Sequence, residues 1–269
     1  MPKTILITGA TDGIGLETAK QLVSDGHLVI LHGRNPTKLA DVEKALSAIG
    51  NSSQIETIVA DLSQLQDVNN MIKEITQRFG TIDVLINNAG VFNIPAPRTD
   101  DGLDSRFAVN TYAPFLLTRE LLPLLGEGGR VINLSSAAQA SVDLKALSHF
   151  QPMADGDAYA QSKLALTMWS RLMGEALKQH GPMVVAVNPK SLLGSKMVKD
   201  AFGITGGDIK DGADILVRAA LSDEFADAGG KYFDNDIGQF GDPHADALDD
   251  RKALEVVSAI EAKLDSLIN

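Results

Sequence analysis

Tyr159 and Lys163 stand four positions apart in a segment, Asp157–Lys178, that reads as helical, and that spacing brings a phenol and an ammonium to one helix face about a turn apart. A free phenol titrates near ~10, too high for a good base at neutral pH. A cation beside it favours the phenolate, so the pair could pass a proton to and from a substrate oxygen. Positioned acid–base help of this kind is worth ~10²–10⁴ in rate. Ser135 and Ser136 close an apolar run upstream, and a hydroxyl there could bond the same oxygen and orient a carbonyl. Strand periodicity says only that the two serines point opposite ways. Taken alone, Tyr159 and Lys163 would read as a surface pair on an amphipathic helix, so the rest of the chain has to supply the context.

A second constellation lies at the other end. Thr8-Gly9-Ala10-Thr11-Asp12-Gly13-Ile14-Gly15 follows the first apolar run and opens a helical segment. Gly9 can take a turn conformation, Gly13 lets the backbone approach a pyrophosphate, and Gly15 permits close packing of helix on strand. The helix N-terminus, lined by Thr11, Asp12 and Ile14, then offers free N–H groups to the anion. An ordinary tight strand–helix turn is the structural alternative. The second strand ends His32-Gly33-Arg34-Asn35. An acidic side chain at this point would hold the adenosine ribose hydroxyls of a dinucleotide; its absence, with Arg34 present, suits a 2′-phosphate. NADP is therefore the expected cofactor. If Arg34 is merely a solvated loop residue, NAD is the alternative, and Asp12 does nothing to help an extra phosphate.

The elements that must hold these groups are legible. Strands are expected near Thr4–Thr8, Leu28–His32, Gln54–Ala60, Asp83–Asn87, Arg130–Leu134, Met183–Asn188 and Lys231–Phe233, alternating with helical stretches such as Ile14–Ser24 and Asp67–Phe79. That alternation predicts an α/β fold: a single-domain, doubly wound parallel sheet of about seven strands, of Rossmann type, with helices on both faces. Two segments break the rhythm, 137–156 and the Gly-punctuated 192–211. Both come after strands, so they are expected to wall the ligand crevice, the first as an inserted flap and the second as a substrate lid. Asp246–Ile268 reads as a C-terminal helix covering the sheet.

Bulk properties narrow the classes. The 269 residues suffice for one domain with a large core. With 24 Lys and Arg against 35 Asp and Glu, the formal charge is -11, a field that repels nucleic acid and anionic membranes. Cysteine is absent, which removes disulfides, thiolate metal sites and a cysteine nucleophile. The five histidines lack zinc-helix spacing, so no metal is expected. No run approaches the ~20 apolar residues of a membrane helix, and the expected location is cytoplasmic.

The spacing of the glycine loop resembles that of the short-chain dehydrogenase/reductase family, and three further segments carry the resemblance. Asn87-Asn88-Ala89-Gly90 closes the fourth strand, Asn110 lies on the helix after it, and Tyr159-Ala160-Gln161-Ser162-Lys163 comes after Ser135-Ser136. The resemblance implies that Asp61 and Leu62 hold the adenine ring, that Asn87, Ala89 and Gly90 line the cofactor floor, and that Pro189 lies beside the nicotinamide. It implies Ser136 rather than Ser135 as the catalytic serine. Lys163 would bind the nicotinamide ribose, and Asn110 would hold a water linking Lys163 to solvent. Dimers and tetramers are the family's habit, so a homodimer or homotetramer is implied as well.

From Ser136 to Tyr159 is 23 positions, a separation similar to that of the retinol-dehydrogenase-like branch. Two departures stand out: Lys190 occupies the place after Pro189 where the family usually has glycine, and Gln139 replaces a glycine beyond the serines. The activity implied is a reversible hydride transfer between NADP(H) and an alcohol or carbonyl carbon of an apolar small molecule, as in a carbonyl reductase. A non-catalytic redox sensor and a nucleotide-sugar epimerase or dehydratase on the same fold are the rivals. The acidic run 234–238 faintly resembles a calcium loop, but its glycine is one place early and Ala245 stands where the bidentate glutamate belongs.

Overall fold

The computed structural model describes residues 1–268. Strands β1 (Thr4–Ile7), β2 (Leu28–Gly33), β3 (Ile55–Val59), β4 (Val84–Asn87), β5 (Arg130–Leu134), β6 (Met183–Asn188), β7 (Tyr232–Asp234) and β8 (Gln239–Gly241) form one sheet in the order β3-β2-β1-β4-β5-β6-β7-β8. β1 to β7 are parallel, and β8 returns antiparallel on β7. The helices are α1 (Gly13–Ser24), α2 (Pro36–Ser47), α3 (Leu65–Arg78), α4 (Ser105–Phe107), α5 (Ala113–Leu125), α6 (Leu144–Ser148), α7 (Asp155–Leu177), α8 (Lys196–Phe202), α9 (Ile209–Leu221) and α10 (Asp250–Ile268). None among the described residues is long and apolar enough to cross a membrane.

Alternation along each strand divides the core. Ile5 and Ile7 of β1 join Val29, Leu31, Ile86, Ile132 and Val185 on the face that packs α1, α2 and α9. Leu6 lies opposite, with Ile30, Leu85, Val131 and Val184, under α3, α5 and α7. Both faces are therefore dry, which is why the strand sequences read as continuous apolar runs. Each buried Leu or Ile stabilises the fold by ~1.5–3 kcal/mol.

A polar line crosses the second face. Asn87 of β4 sits opposite Asn133 of β5 in the ladder and donates to its Oδ1 at 2.7 Å, while Asn133 donates to Ser170 of α7 at 2.8 Å.

The sheet has eight strands, against the seven expected. β8 is only Gln-Phe-Gly, too short for alternation to announce it, and the run 234–238 is the turn that creates it, with Gly238 at φ 69°. The C-terminal helix starts at Asp250, after a 3₁₀ turn at Ala245–Leu248. It lies on α6 and α7 rather than on the sheet. Its inward face is Ala253, Val256, Ile260 and Leu264, whereas Leu248 and Leu254 are exposed.

The chain leaves β3 and crosses to β4 on the far side of β1, so a switch point opens between β1 and β4. Loops leaving the strand carboxyl ends there form the crevice of an open α/β sheet.

Candidate active site

The glycine loop is shaped by three neighbours. Gly9 stands at φ 67°, and a Cβ on it would come within 2.9 Å of the Ala89 backbone, so only glycine lets the loops after β1 and β4 touch. Asn88 fastens them, its Nδ2 donating to the carbonyls of Thr8 at 2.8 Å and Gly9 at 3.0 Å. His32 fastens the other side: Gly9 N–H donates to Nδ1 at 3.2 Å, leaving Nε2–H to donate to the Ala60 carbonyl at 3.0 Å. Burial lowers the His32 imidazole to about 4, so it stays neutral and this tautomer persists.

Asp12 caps α1, its carboxylate accepting from Gly13 N–H at 2.7 Å. A negative charge thus already sits at the helix N-terminus, although it is exposed. Thr11 lies over Gly33. Arg34 is exposed just beyond β2, and among the described residues it forms no ion pair. Asn35 behind it caps α2 by accepting from Lys38 N–H at 3.0 Å.

Asn87, expected on the cofactor floor, and Asp61 and Leu62, expected at the adenine ring, differ in how far they face the crevice. Asn87 turns its side chain into the protein, bonding Thr118 at 3.2 Å as well as Asn133, so only its backbone can reach the crevice. Leu62 is buried in the core beside α3, and the Asp61 carboxylate accepts from Ser63 N–H and Oγ. Asp61 stays partly exposed while Leu62 does not.

The catalytic candidates converge. Ser136 lies within hydrogen-bonding reach of the Tyr159 phenol. Ser135 instead points inward and pairs with Thr167 at 2.6 Å, so Ser136 is the one of the two serines on the side of Tyr159. Lys163 is buried, with Nζ 5.7 Å from the Tyr159 ring centroid and donating to the Leu134 carbonyl at 2.6 Å. A Cβ at Gly90 would come within 3.6 Å of Lys163 Nζ and 3.5 Å of Asn110 Oδ1, so the loop after β4 lies directly against both side chains.

Burial drives both groups toward their neutral forms. It raises the Tyr159 phenol, against the opposing hydrogen bond from Ser136, and it lowers the Lys163 amine to about 7. Spacing alone had the ammonium stabilising a phenolate; in the folded protein burial opposes that and favours the neutral phenol.

Asn110 sits in a π-helical turn, Ala108–Tyr112, ahead of α5. Both hydrogens of its Nδ2 are engaged, by the Val91 carbonyl at 3.0 Å and Ser162 Oγ at 3.0 Å, while Oδ1 accepts from Val91 N–H at 2.9 Å. Its side chain therefore pins the Gly90–Val91 loop to α7. Arg106 does similar work from α4. Fully buried, it pairs with buried Asp104 at 2.6 Å and with the more exposed Asp155, the first residue of α7, and removing Asp104 from the buried pair costs ~3–5 kcal/mol.

The contacts of three residues were missed from the sequence. Phe92 lies 4.9 Å from Tyr159 and 5.7 Å from Phe202 of α8, ring centroid to centroid. Gln139 donates to the Ser136 carbonyl at 2.8 Å and accepts from His244 N–H at 3.1 Å, which explains why a side chain replaces glycine there. Tyr232 donates to the same Ser136 carbonyl at 3.2 Å. Only an aromatic two places beyond Gly90 could have signalled Phe92; the other two depend on β7 and on the segment after β8.

Segment 137–156 is tied down by Tyr112 Oη on the Leu147 carbonyl at 3.0 Å and by Asp143 N–H on Gln161 at 2.9 Å. Val142, Leu147 and Met153 pack into the core, while Leu144 is exposed. Segment 192–211 closes on itself through Leu193 and Gly207, and Phe202 is 54% exposed.

Comparison with known proteins gives a consistent outcome. The family model described as short chain dehydrogenase matches residues 3–202. Human polyprenol dehydrogenase is 32% identical over 258 residues, covering 87% of this chain and 77% of the relative. Human retinol dehydrogenase 13 is 31% identical over 251 residues, covering 86% and 76%. A metagenomic short-chain oxidoreductase solved in complex with NADP superposes with a TM-score of 0.63 at 31% identity, covering 81% of this chain and 90% of that one.

Proposed function

The chain belongs to the short chain dehydrogenase family, and on that premise we propose that it is an NADP(H)-dependent oxidoreductase that interconverts an alcohol and a carbonyl on an apolar small molecule. The observation that carries the reading is the convergence of Ser136, Tyr159 and Lys163 beside Gly90, at the strand ends where the glycine loop opens.

The residues present suit the dinucleotide. Thr11, Gly13 and Ile14 offer a helix N-terminus to the pyrophosphate, and Arg34, exposed and unpaired among the described residues, suits a 2′-phosphate. Asp61 would meet the adenine edge, Leu62 contributing through its backbone, and Ala89, Gly90 and Pro189 would flank the ring system. The bound nicotinamide supplies or accepts the hydride. Tyr159 gives its proton to the substrate oxygen in the reducing direction and takes it back in the other. Ser136 holds that oxygen, while Lys163 bonds the nicotinamide ribose. Phe92 and Phe202 make the entrance apolar.

A panel of ketones, aldehydes and alcohols, followed at the reduced-nicotinamide absorbance with both cofactors, tests the reading. Turnover of an apolar carbonyl with NADPH is expected; a chain that binds the dinucleotide yet turns over nothing would be a sensor.

A further inference from the structure

The loop leaving β6 holds two residues in conformations that side chains rarely adopt, Lys190 at φ 115° and Leu192 at φ 53°. Such backbones persist only where their surroundings hold them. Here the holder is the β7–β8 turn. Asp236 accepts from Ser191 N–H at 2.9 Å, from Ser191 Oγ at 2.6 Å and from Asn188 Nδ2 at 2.8 Å. Its neighbour Asn235 donates to the carbonyls of Pro189 at 3.0 Å and Asp211 at 3.2 Å, and Lys190 Nζ reaches Asp211 at 2.6 Å. Burial works to raise the Asp236 carboxyl, but the bonds from Ser191 and Asn188 and the charge of Lys190 outweigh it and hold the group below its usual range.

The shape of this loop matters because of the residues next in the chain. Ser195 lies beside Gly13, and Leu193 packs against Gly212 where Ile14 also touches it. The backbone at 190–192 therefore sets how Leu193–Ser195 lies on the phosphate-binding end of the crevice. A glycine at 190 would take φ 115° freely; this chain has a lysine there and a clamp across from it.

We infer that Asp236 is a positioning residue for the cofactor: by gripping Ser191 it holds the strained turn after β6 in the conformation that lays Leu193–Ser195 against the glycine loop, and so sets dinucleotide affinity. The inference rests on the dinucleotide-binding reading above. Without the clamp the strained turn relaxes, the competent loop becomes a minority, and apparent affinity falls by that fraction.

The test is equilibrium binding of NADPH, read by nucleotide fluorescence, with thermal melting of each variant as a check on folding. Asp236→Ala is expected to weaken binding about tenfold. In a Lys190→Gly background, Asp236→Ala should cost no more than about threefold relative to Lys190→Gly alone, because glycine no longer needs the clamp. Should Asp236→Ala fail to fold, Ser191→Ala, which deletes one of the clamp's bonds, is expected to lose about threefold, and less than that in the Lys190→Gly background. An unchanged Kd in the clamp variants, or a loss that is as large in the Lys190→Gly background, overturns the inference. Absence of NADPH binding by the unaltered protein would instead overturn the cofactor reading beneath it.

Discussion

Lys163 Nζ donates a 2.6 Å hydrogen bond to the carbonyl of Leu134, the last residue of β5. This buried contact places the amine below Tyr159 while removing it from water, and the two effects pull against each other. Burial lowers the Lys163 amine to about 7, against the 10.5 usual for a lysine. Below pH 7 the lysine is charged in both states, and the folded protein bears the whole cost. Between pH 7 and 10.5 the unfolded chain binds the extra proton, so stability rises with pH. Relative to Lys163→Met, the unaltered protein should gain about 1.4 kcal/mol per pH unit across that window. Chemical denaturation at about pH 7, 8 and 9 measures it, and parallel curves would mean that the amine is solvated.

Tyr159→Phe keeps the ring against Phe92 and deletes only the hydroxyl. Turnover should fall ~10²–10⁴-fold while NADPH affinity stays within about twofold. Retained turnover removes the phenol from the chemistry.

Arg34→Asp should shift the ratio of kcat/KM for NADPH over NADH by roughly tenfold or more toward NADH, since a bidentate phosphate contact is replaced by repulsion. Arg34 is exposed and free of ion pairs among the described residues, so melting should not move. An unchanged ratio would assign the 2′-phosphate to other groups.

Phe92→Ala should raise KM for apolar carbonyl substrates about three- to tenfold, the order expected of one lost aromatic contact, with NADPH affinity unaltered. Phe202→Ala should show the same direction with a smaller effect, because that ring is already half exposed. Steady-state kinetics on one aryl ketone and one short aliphatic ketone separates the cases: equal losses on both would argue for a collapsed Tyr159 rather than a lost substrate wall.

The parallel sheet was legible because dry strands must be apolar on both faces, and β5 and β6 begin and end where the sequence placed them. The glycine loop and the Tyr159–Lys163 pair were legible because their spacing is local. Features that depend on distant parts of the chain meeting escaped. Asp236 looked like part of a failed calcium loop until the β7–β8 turn brought it to Ser191. Gln139 has no meaning without Ser136 and His244 on either side. The π-turn at Asn110 leaves no mark in apolar periodicity, and which serine faces Tyr159 needed the partner, Thr167, that claims the other.

The amide pair between Asn87 and Asn133 has a consequence for the crevice above it. These side chains face each other in the interior across β4 and β5. Sliding one strand by a single residue would part the two amides from each other in an apolar layer. The same slip would shift Gly90 by ~3.3 Å against Ser136, beyond the reach of any hydrogen bond between substrate and serine. The height at which the two loops meet is thus fixed from beneath, by two amide side chains turned away from the crevice.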